Sequence, residues 1–449
     1  MDALLQIQIL GGPVPTIVYT VAAACALYLL LRRPTWRRVL TSAIGILAGA
    51  AVGLGVYFIA NQTKAFGGEL TVEVLFLLLA TCGAIGFAVV NLWDSRWWRK
   101  VIAAVSIPVF ALAGGIGINA FYGINKTVAD ALGIVVSKPI DLPNVTTSEA
   151  PEPEKSLYDS WQPPADMPAQ GKVGTVVIPG ATSGFQARQA GVYLPPAAQV
   201  KNPPLLPVMV FMLGYPGTPS PDMITPTLDA FAAAHKGLAP IVVIADQVGN
   251  GRDPACADSK TYGNAETYIR KDVPAWIQQN LHVGTQPQGW ILGGYSSGGV
   301  CAVKFAALDP TVWGTLVAVS PEEFLGVEYA DRVRADVYGG DSAAWEADKP
   351  AAILARNTGQ YAGVTAAITT GTEDGSFGPG TRRLADAATA AGMNLTLNEI
   401  PGVGHIGDAL ALGLTAGLNT VAPSLGLAPG APPRPRPRPR PTDPVRPTG

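Results

Sequence analysis

Four long apolar runs in the first third of the chain constrain its fold more than any other feature of the sequence. Each is about 18 to 22 residues long, the length that crosses a hydrocarbon core as a helix, and they cover residues 14–31, 39–60, 74–93 and 101–122. The whole sequence is 48% hydrophobic and only 14% charged, which is unusual for a water-soluble protein. No basic segment precedes the first run and three more runs follow it, which argues against a cleaved signal peptide. The sequence therefore predicts four transmembrane helices within residues 1–136.

The basic residues between the apolar runs predict how the chain is oriented in a membrane. The first and third loops are basic, the segment before the first run has no Lys or Arg, and the second loop has only Lys64. The residues that make the two loops basic are Arg32, Arg33, Arg37, Arg38, Arg96, Arg99 and Lys100. Because basic loops stay on the cytoplasmic side, the N-terminus and everything after residue 122 are expected to face outward from a cell membrane. No Asp, Glu, Lys or Arg lies in mid-span, so a transport function has no support.

Two proline-rich segments flank the remainder of the chain. Residues 137–171 are rich in proline and polar residues without hydrophobic periodicity, which predicts an extended tether between membrane and domain. Residues 427–449 contain "RPRPRPR", from Arg434 to Arg440, which predicts an extended polyproline II tail. This tail is either a solvated spacer or a basic arm that lies on anionic lipid or cell-wall polymer.

Between these segments, residues 172–426 alternate short apolar runs with helical stretches. Eight runs have the length and composition of strands, among them "LPVMVFMLG", "APIVVIADQ" and "WILGG". Helical stretches lie between the later runs, at residues 227–235, 266–279, 297–308, 342–355 and 382–391. This alternation predicts one α/β domain with a mostly parallel sheet and helices on both faces.

The stretch "GGYSSGG" places Ser296 between a predicted strand and a predicted helix. A nucleophilic serine on such a sharp turn needs small residues two positions before and two after it, because the neighbouring backbone approaches closely. The motif alone is a weak signal in a chain with 51 glycines, and an ordinary glycine-rich turn is the alternative interpretation.

A serine nucleophile needs a base and an acid, and the sequence offers candidates for both. The chain has 3 histidines, of which His235 and His282 lie at the ends of predicted helices. His405 follows the last predicted strand in "PGVGH", at the edge of the sheet where a base would reach the serine. The stretch "GTEDG" places Asp374 at the end of another strand, with Glu373 as the alternative acid. The resulting order of serine, acid and histidine is that of α/β-hydrolases.

Two backbone N–H groups are candidates for stabilising an oxyanion. One belongs to Ser297, the residue after the predicted nucleophile. The other belongs to Tyr215, in the loop "FMLGYPGTPSPD" that follows the third predicted strand. A donor of this kind contributes about 3–4 kcal/mol of transition-state stabilisation.

The cysteines and the missing motifs bear on redox state and cofactors. Cys25 and Cys82 fall within the apolar runs and are most simply packing residues. Cys256 and Cys301 are both expected near the active edge of an outward-facing domain, where we expect them to form a disulfide, with two buried free thiols as the alternative. The scattered His and Cys residues lack metal-ligand spacing, no P-loop is present, and the net charge is −2. We therefore expect no metal, no cofactor and no nucleic-acid partner.

Five stretches together resemble one family: "GVYLPP", "MVFMLGYPG", "NAETYIRKDVPAWI", "GGYSSGGVCA" and "PGVGH". They are similar to the putative-esterase branch of the α/β-hydrolases, which includes esterase D-like enzymes and the antigen 85 mycolyltransferases. The resemblance covers roughly residues 175–425, and the four apolar runs look like the anchor of membrane-bound envelope esterases in this branch.

This resemblance implies a role for each candidate residue and also shows one departure. It implies Ser296 as nucleophile, His405 as base, and Asp374 or Glu373 as acid. It also implies Tyr215 and Ser297 as the donors to the oxyanion. The mycolyltransferases carry a Trp close after the catalytic His, whereas "HIGDALALG" has none, which sets this chain apart from trehalose mycolylation.

The leading functional hypothesis is a membrane-anchored, outward-facing serine esterase that forms an acyl-enzyme. It would act without a cofactor on an acyl ester of the lipid bilayer or the cell envelope. One alternative is an acyltransferase that moves the acyl group to a sugar or lipid alcohol. Another is a non-catalytic envelope scaffold with a hydrolase fold.

Overall fold

The computed structural model describes most of the chain between residues 2 and 429. The described ranges are 2–63, 70–93, 95–123, 125–134, 136–142, 156–249 and 253–429. Three features of the sequence analysis fall outside them: Lys64, residues 143–155 of the expected tether, and the basic tail from Arg434 to Arg440.

Four helices near the N-terminus are long and apolar enough to cross a membrane, by length and composition. They are α2 Pro13–Leu30, α3 Trp36–Thr63, α4 Val72–Val90 and α5 Trp97–Tyr122, and the short helix α1 Asp2–Leu5 precedes them. The apolar runs of the sequence match these helices to within four residues at every end. No Asp, Glu, Lys or Arg interrupts the runs, and α5 continues through Pro108.

Glycines allow α3 and α4 to pack with their backbones in contact. A Cβ on Gly49 would lie 2.0 Å from the carbonyl oxygen of Cys82, and a Cβ on Gly86 would lie 2.0 Å from that of Gly45. Only residues without a Cβ permit this approach, which is the usual packing device of helices that cannot rely on hydrophobic burial.

Where the structure describes the expected tether, it contacts the C-terminal domain: residues 137–142 are extended, as the sequence predicts, and residues 156–171 include side chains that pack on the core of the domain. Lys138 pairs with a strand of the domain, and the helix α7 Leu157–Ser160 lies against it. Trp161 packs on the core and its Nε1 donates to the carbonyl of Lys236 at 3.0 Å. The segment lacks hydrophobic periodicity because single apolar side chains anchor it, one at a time.

The C-terminal domain is built on a sheet that has eight strands among the described residues. The strands of this sheet are β1 Lys172–Val176, β2 Ala190–Leu194, β3 Val208–Met212, β4 Ile241–Ile244, β7 Trp290–Tyr295, β8 Thr315–Val319, β9 Thr365–Gly371 and β10 Asn394–Ile400. Two further strands, β5 Asp258–Ser259 and β6 Gly263–Asn264, form a separate ribbon. The order is β1-β2-β4-β3-β7-β8-β9-β10, with β2 antiparallel to both neighbours and the remaining pairs parallel. The mostly parallel α/β sheet expected from the sequence is confirmed, and its central strands are buried on both faces.

Helices cover both faces of this sheet. The helices of the domain are α8 Thr225–Ala234, α9 Ala265–Thr267, α10 Val273–Asn280, α11 Ser297–Leu308, α12 Ala330–Asp336, α13 Ser342–Ala347, α14 Pro350–Arg356, α15 Gly378–Ala391 and α16 Ala409–Val421, and the short helix α6 Val128–Ala131 precedes them. A π-helical turn at Tyr268–Asp272 joins α9 to α10, and 3-10 turns lie at Pro196–Gln199, Pro221–Met223, Pro287–Gly289 and Val327–Tyr329. The helix expected over residues 342–355 is two helices, because Pro350 cannot donate its backbone N–H and instead starts a new one. Helix α16 packs against β8 and β9 and has no counterpart among the helices expected from the sequence.

The C-terminal boundary of the domain lies beyond residue 426. Leu427 is fully buried, and both it and Ala428 belong to the core of the domain. The sequence predicts that these two residues belong to the tail, because a proline-rich stretch follows them directly.

We expect Leu427→Ala to lower the free energy of unfolding by about 2–5 kcal/mol, since it removes a buried side chain and leaves a cavity. Leu412→Ala is the matched control, because Leu412 is 45% exposed. Thermal and denaturant unfolding of the detergent-solubilised chain would measure both. Equal effects of the two substitutions would show that Leu427 does not belong to the core.

Candidate active site

Ser296 lies on a sharp turn between β7 and α11, and its backbone is strained. Its φ of 55° and ψ of −121° are rare for a residue with a side chain. A Cβ on Gly294 would lie 2.1 Å from the carbonyl oxygen of Gly298, and a Cβ on Gly298 would lie 2.1 Å from that of Met212. Both glycines of the motif are therefore required by close backbone contact, and the ordinary glycine-rich turn does not describe this geometry.

Three side chains form a continuous hydrogen-bonded row that begins at this turn. Ser296 Oγ lies 2.9 Å from His405 Nε2, and His405 Nδ1 lies 2.8 Å from Asp374 Oδ2. Asp374 follows β9 and His405 follows β10, so the loops at the carboxyl edge of the sheet bring them to the serine. A carboxylate at Nδ1 favours the tautomer in which Nε2 is unprotonated and faces the serine hydroxyl.

The other candidates from the sequence lie apart from this row. Glu373 is exposed, and its backbone N–H donates to the carbonyl of Val403. Of the two candidate acids, the structure brings Asp374 to the histidine. His235 ends α8, and its Nδ1 lies 2.7 Å from the carbonyl oxygen of Phe231. His282 is buried beside Leu206 and Ile241, near the amino edge of the sheet.

Asp374 is held as a carboxylate by its surroundings. Burial by itself raises the pKa of this side chain, but the hydrogen bond and charge of His405 and the backbone N–H groups of Phe377 and Gly378 outweigh it, and the pKa lies below its usual value. The Phe377 N–H donates to Asp374 Oδ1 at 2.9 Å. Asp374 is therefore ionised at neutral pH and fixed on both oxygens.

Two aromatic residues that the sequence analysis did not single out fix the histidine ring. The ring of Phe377 lies 4.3 Å from that of His405, centroid to centroid, and the ring of Tyr295 stacks on it at 5.8 Å. The Tyr295 hydroxyl also donates to the carbonyl oxygen of His405 at 2.6 Å. Burial raises the pKa of Tyr295, so its hydroxyl keeps the proton that this bond needs. In the sequence, Tyr295 directly precedes Ser296, and this position could have identified it as part of the site.

The two candidate oxyanion donors lie next to each other, beside Ser296. A Cβ on Gly214 would lie 3.1 Å from Ser296 Cβ, so the loop after β3 touches the serine. The backbone N–H of Tyr215 donates to Ser297 Oγ at 2.8 Å. In this structure the hydroxyl of Ser297 thus accepts the hydrogen bond that the sequence analysis assigns to an oxyanion.

A disulfide joins Cys256 to Cys301 across 5.7 Å between their Cα atoms. It links the loop after β4 to the helix α11, one turn beyond Ser296. Cys25 and Cys82 are free thiols in the apolar helices α2 and α4. Lys304, on the same helix, is buried and donates to the carbonyl of Cys256 at 2.9 Å, which adds a second link to that loop.

Two buried carboxyl groups lie at the same edge of the sheet and were missed by the sequence analysis. Glu322 follows β8, Asp253 follows β4, and both are less than 8% exposed. Burial raises the pKa of Glu322 to about 8, helped by the charges of Asp253 and Glu328. Burial also raises the pKa of Asp253, although Tyr329 donates a hydrogen bond to it at 3.0 Å. No motif marks these residues, and only the strand order brings them together.

Comparison with known proteins identifies a family that part of this chain matches. Residues 185–405 match the family described as "Putative esterase". A curated relative, an uncharacterized protein of Corynebacterium glutamicum, is 35% identical over 235 residues, which make up 50% of this chain and 54% of that protein. The chain therefore spans about half the length of this curated relative.

Solved structures with a similar fold include two esterases of low sequence identity. A ferulic acid esterase is 16% identical with a TM-score of 0.47, and the match covers 56% of this chain and 98% of that one. An S-formylglutathione hydrolase from Agrobacterium tumefaciens is 19% identical with a TM-score of 0.47, and the match covers 57% of this chain and 97% of that one.

We expect Glu322→Gln to stabilise the protein increasingly as the pH rises from 4.5 to about 8. In this interval the folded state of the wild type binds more protons at this carboxyl than the unfolded state, so its free energy of unfolding falls with pH. The free energy of unfolding of the variant does not fall with pH in this way. At pH 8 it should exceed that of the wild type by on the order of 4 kcal/mol.

Thermal unfolding of the detergent-solubilised chain at pH 5 and pH 8 would measure this difference. Glu346→Gln is the control, because the side chain of Glu346 is 58% exposed. Parallel pH dependence of the wild type and Glu322→Gln would contradict the assignment of a raised pKa.

Proposed function

The C-terminal domain of this chain belongs to the putative-esterase branch of the α/β-hydrolases, and we propose that the protein is a membrane-anchored serine esterase. The observation that carries the proposal is the row from Ser296 through His405 to Asp374, which starts at a strained turn between strand and helix. A scaffold protein would have no use for a strained serine, since such backbone costs stability. The row therefore favours an enzyme over the scaffold.

The proposed reaction begins with attack of Ser296 Oγ on an ester carbonyl. His405 Nε2 takes the hydroxyl proton and then gives it to the leaving alcohol, and Asp374 stabilises the imidazolium through Nδ1. A water molecule, activated by the same histidine, hydrolyses the acyl-enzyme and returns the serine to its starting state.

The developing oxyanion is stabilised by the backbone N–H groups of Ser297 and Tyr215. Because the Tyr215 N–H donates to Ser297 Oγ in the substrate-free protein, the oxyanion must take the place of that hydroxyl. The exchange replaces a neutral acceptor by a charged one, so the hydrogen bond becomes stronger in the transition state. Such a bond favours the transition state over the ground state and raises kcat.

The proposed location is the outer face of a cell membrane. Four apolar helices support anchoring, and the arginines between α2 and α3 and between α4 and α5 support a cytoplasmic position for those loops. This orientation puts the N-terminus and the esterase domain outside. A domain held there is close to acyl esters of the lipid bilayer and the cell envelope, which we propose as substrates.

Labelling with a fluorophosphonate probe tests the nucleophile and the orientation together. We expect intact cells that express the wild type to be labelled and cells with Ser296→Ala to be unlabelled, because the probe reacts only with an activated serine. Labelling that occurs only after lysis would refute the outward orientation. A folded wild type that takes no label in either preparation would refute the esterase itself.

Asp374→Asn is expected to lower kcat by about 10³–10⁴-fold, because an amide leaves the imidazole without its charged partner and favours the wrong tautomer. Glu373→Gln is the matched control: it neutralises the neighbouring exposed carboxylate, and kcat should stay within about twofold. Hydrolysis of a soluble short-chain ester would measure both. A larger loss in the control would assign the acid to Glu373.

Product analysis with and without an added alcohol separates hydrolysis from acyl transfer. The esterase releases the free acid in both cases. An acyltransferase would instead transfer most of the acyl group to the alcohol.

A further inference from the structure

The segment between the last membrane helix and the esterase domain is held firmly on its membrane side. We define the connector as residues 125–134 and 136–142. At its start, Asn125 exchanges hydrogen bonds with Asn119 of α5, at 2.7 Å from Asn119 Nδ2 to the Asn125 carbonyl and 2.9 Å from Asn125 Nδ2 to Asn119 Oδ1. The chain before α2 also pairs with it, since the Ile9 N–H donates to the carbonyl of Lys126 at 2.8 Å. The connector is therefore fixed to the end of α5 and to the segment that precedes α2.

The connector also touches the loop that carries the proposed oxyanion donor. This oxyanion loop, residues 213–222, runs from β3 to the 3-10 turn Pro221–Met223. Lys126 Nζ donates to the carbonyl oxygen of Asp222 at 2.5 Å, and Asp130 Oδ1 lies 3.5 Å from the hydroxyl of Thr218. A cavity of about 50 Å³ lies between the two surfaces and is lined by both.

A second contact fastens the connector to the edge of the sheet. The Thr175 N–H donates to the carbonyl of Lys138 at 2.7 Å, and the Lys138 N–H donates to Thr175 Oγ1 at 2.8 Å. Thr175 is near the end of β1 that lies at the carboxyl edge of β4. Both contacts of the connector are thus on the side of the sheet that bears the serine.

The composition of the oxyanion loop lets a contact at one end affect the other. Three prolines, Pro216, Pro219 and Pro221, restrict the backbone between Tyr215 and Asp222. A displacement of Asp222 would consequently be carried to the Tyr215 N–H rather than absorbed by free rotation. Stabilisation of an oxyanion needs its donors within a few tenths of an ångström of the productive position.

We propose that the connector is a positioning element of the active site, in which Lys126 holds the oxyanion loop so that the Tyr215 N–H meets the oxyanion. Asp130 supports the same loop through Thr218. The membrane helices then do more than anchor the esterase, because they complete its catalytic geometry. This inference rests on the proposed esterase function.

The test measures steady-state hydrolysis of a soluble short-chain ester by the full-length protein in detergent. Lys126→Met keeps the apolar stem and removes the donor, and we expect kcat to fall by about 10- to 100-fold with KM within about twofold. Lys126→Arg restores a donor and should recover most of kcat. A soluble boronate, which forms a tetrahedral adduct with the serine, should bind Lys126→Met more weakly by a similar factor.

Lys236→Met is the matched control. Lys236 Nζ likewise donates to a backbone carbonyl, that of Tyr158 at 2.8 Å, but it follows α8 at the opposite edge of the sheet. We expect its kcat to equal that of the wild type. Thermal unfolding of each variant shows whether it is folded.

The outcomes separate this inference from the function on which it rests. An active wild type with unchanged kcat in Lys126→Met, or an equal loss of kcat in Lys236→Met, overturns the positioning role alone. A lower kcat with unchanged affinity for the boronate also overturns it. A folded wild type that neither hydrolyses esters nor reacts with a fluorophosphonate overturns the esterase and the inference together.

Discussion

The close contact between the start of α11 and the end of β3 is the constraint on which the rest of the site depends. Gly298 lies so near the backbone of Met212 and Leu213 that any side chain on it would collide with their carbonyl groups. This contact presses the nucleophile's turn against the loop that carries Tyr215. Without it, Ser296 and the oxyanion loop would be separated by at least the width of a methyl group, which is more than an oxyanion site tolerates.

The same contact explains why several interactions hold α11 in place. This helix is buried along nearly its whole length, and the disulfide from Cys301 and the hydrogen bond from Lys304 tie it to the loop after β4. Lys304 is also paired with Glu266 and Asp348, at 2.9 and 2.6 Å. A buried lysine is stable only when such partners compensate for its lost hydration. These links oppose the backbone strain at Ser296, whose relaxation would move the helix.

The sequence predicted the features that depend on local pattern and left open those that depend on the packing of distant loops. The eight strands of the main sheet and the turn at Ser296 could be predicted, because buried strands consist of apolar residues and close backbone contact requires glycine. The choice between Asp374 and Glu373 could not be settled from the sequence, because the two neighbouring carboxylates differ only in the direction in which the loop after β9 turns them. Leu427 and the residues around Trp161 were misassigned for a related reason: a few anchoring side chains among prolines do not produce a periodic signal. The contact of Lys126 with Asp222 joins positions 96 residues apart, and nothing in the sequence around either one indicates it.

The pairing of Lys138 with Thr175 has a consequence for any fragment that consists of the C-terminal domain alone. β1 is an edge strand, and the connector covers part of its free side. A cut within the connector would uncover backbone N–H and C=O groups that are ready to pair with the edge of another molecule. The domain alone would thus be prone to self-association, and the connector protects its solubility by covering this edge.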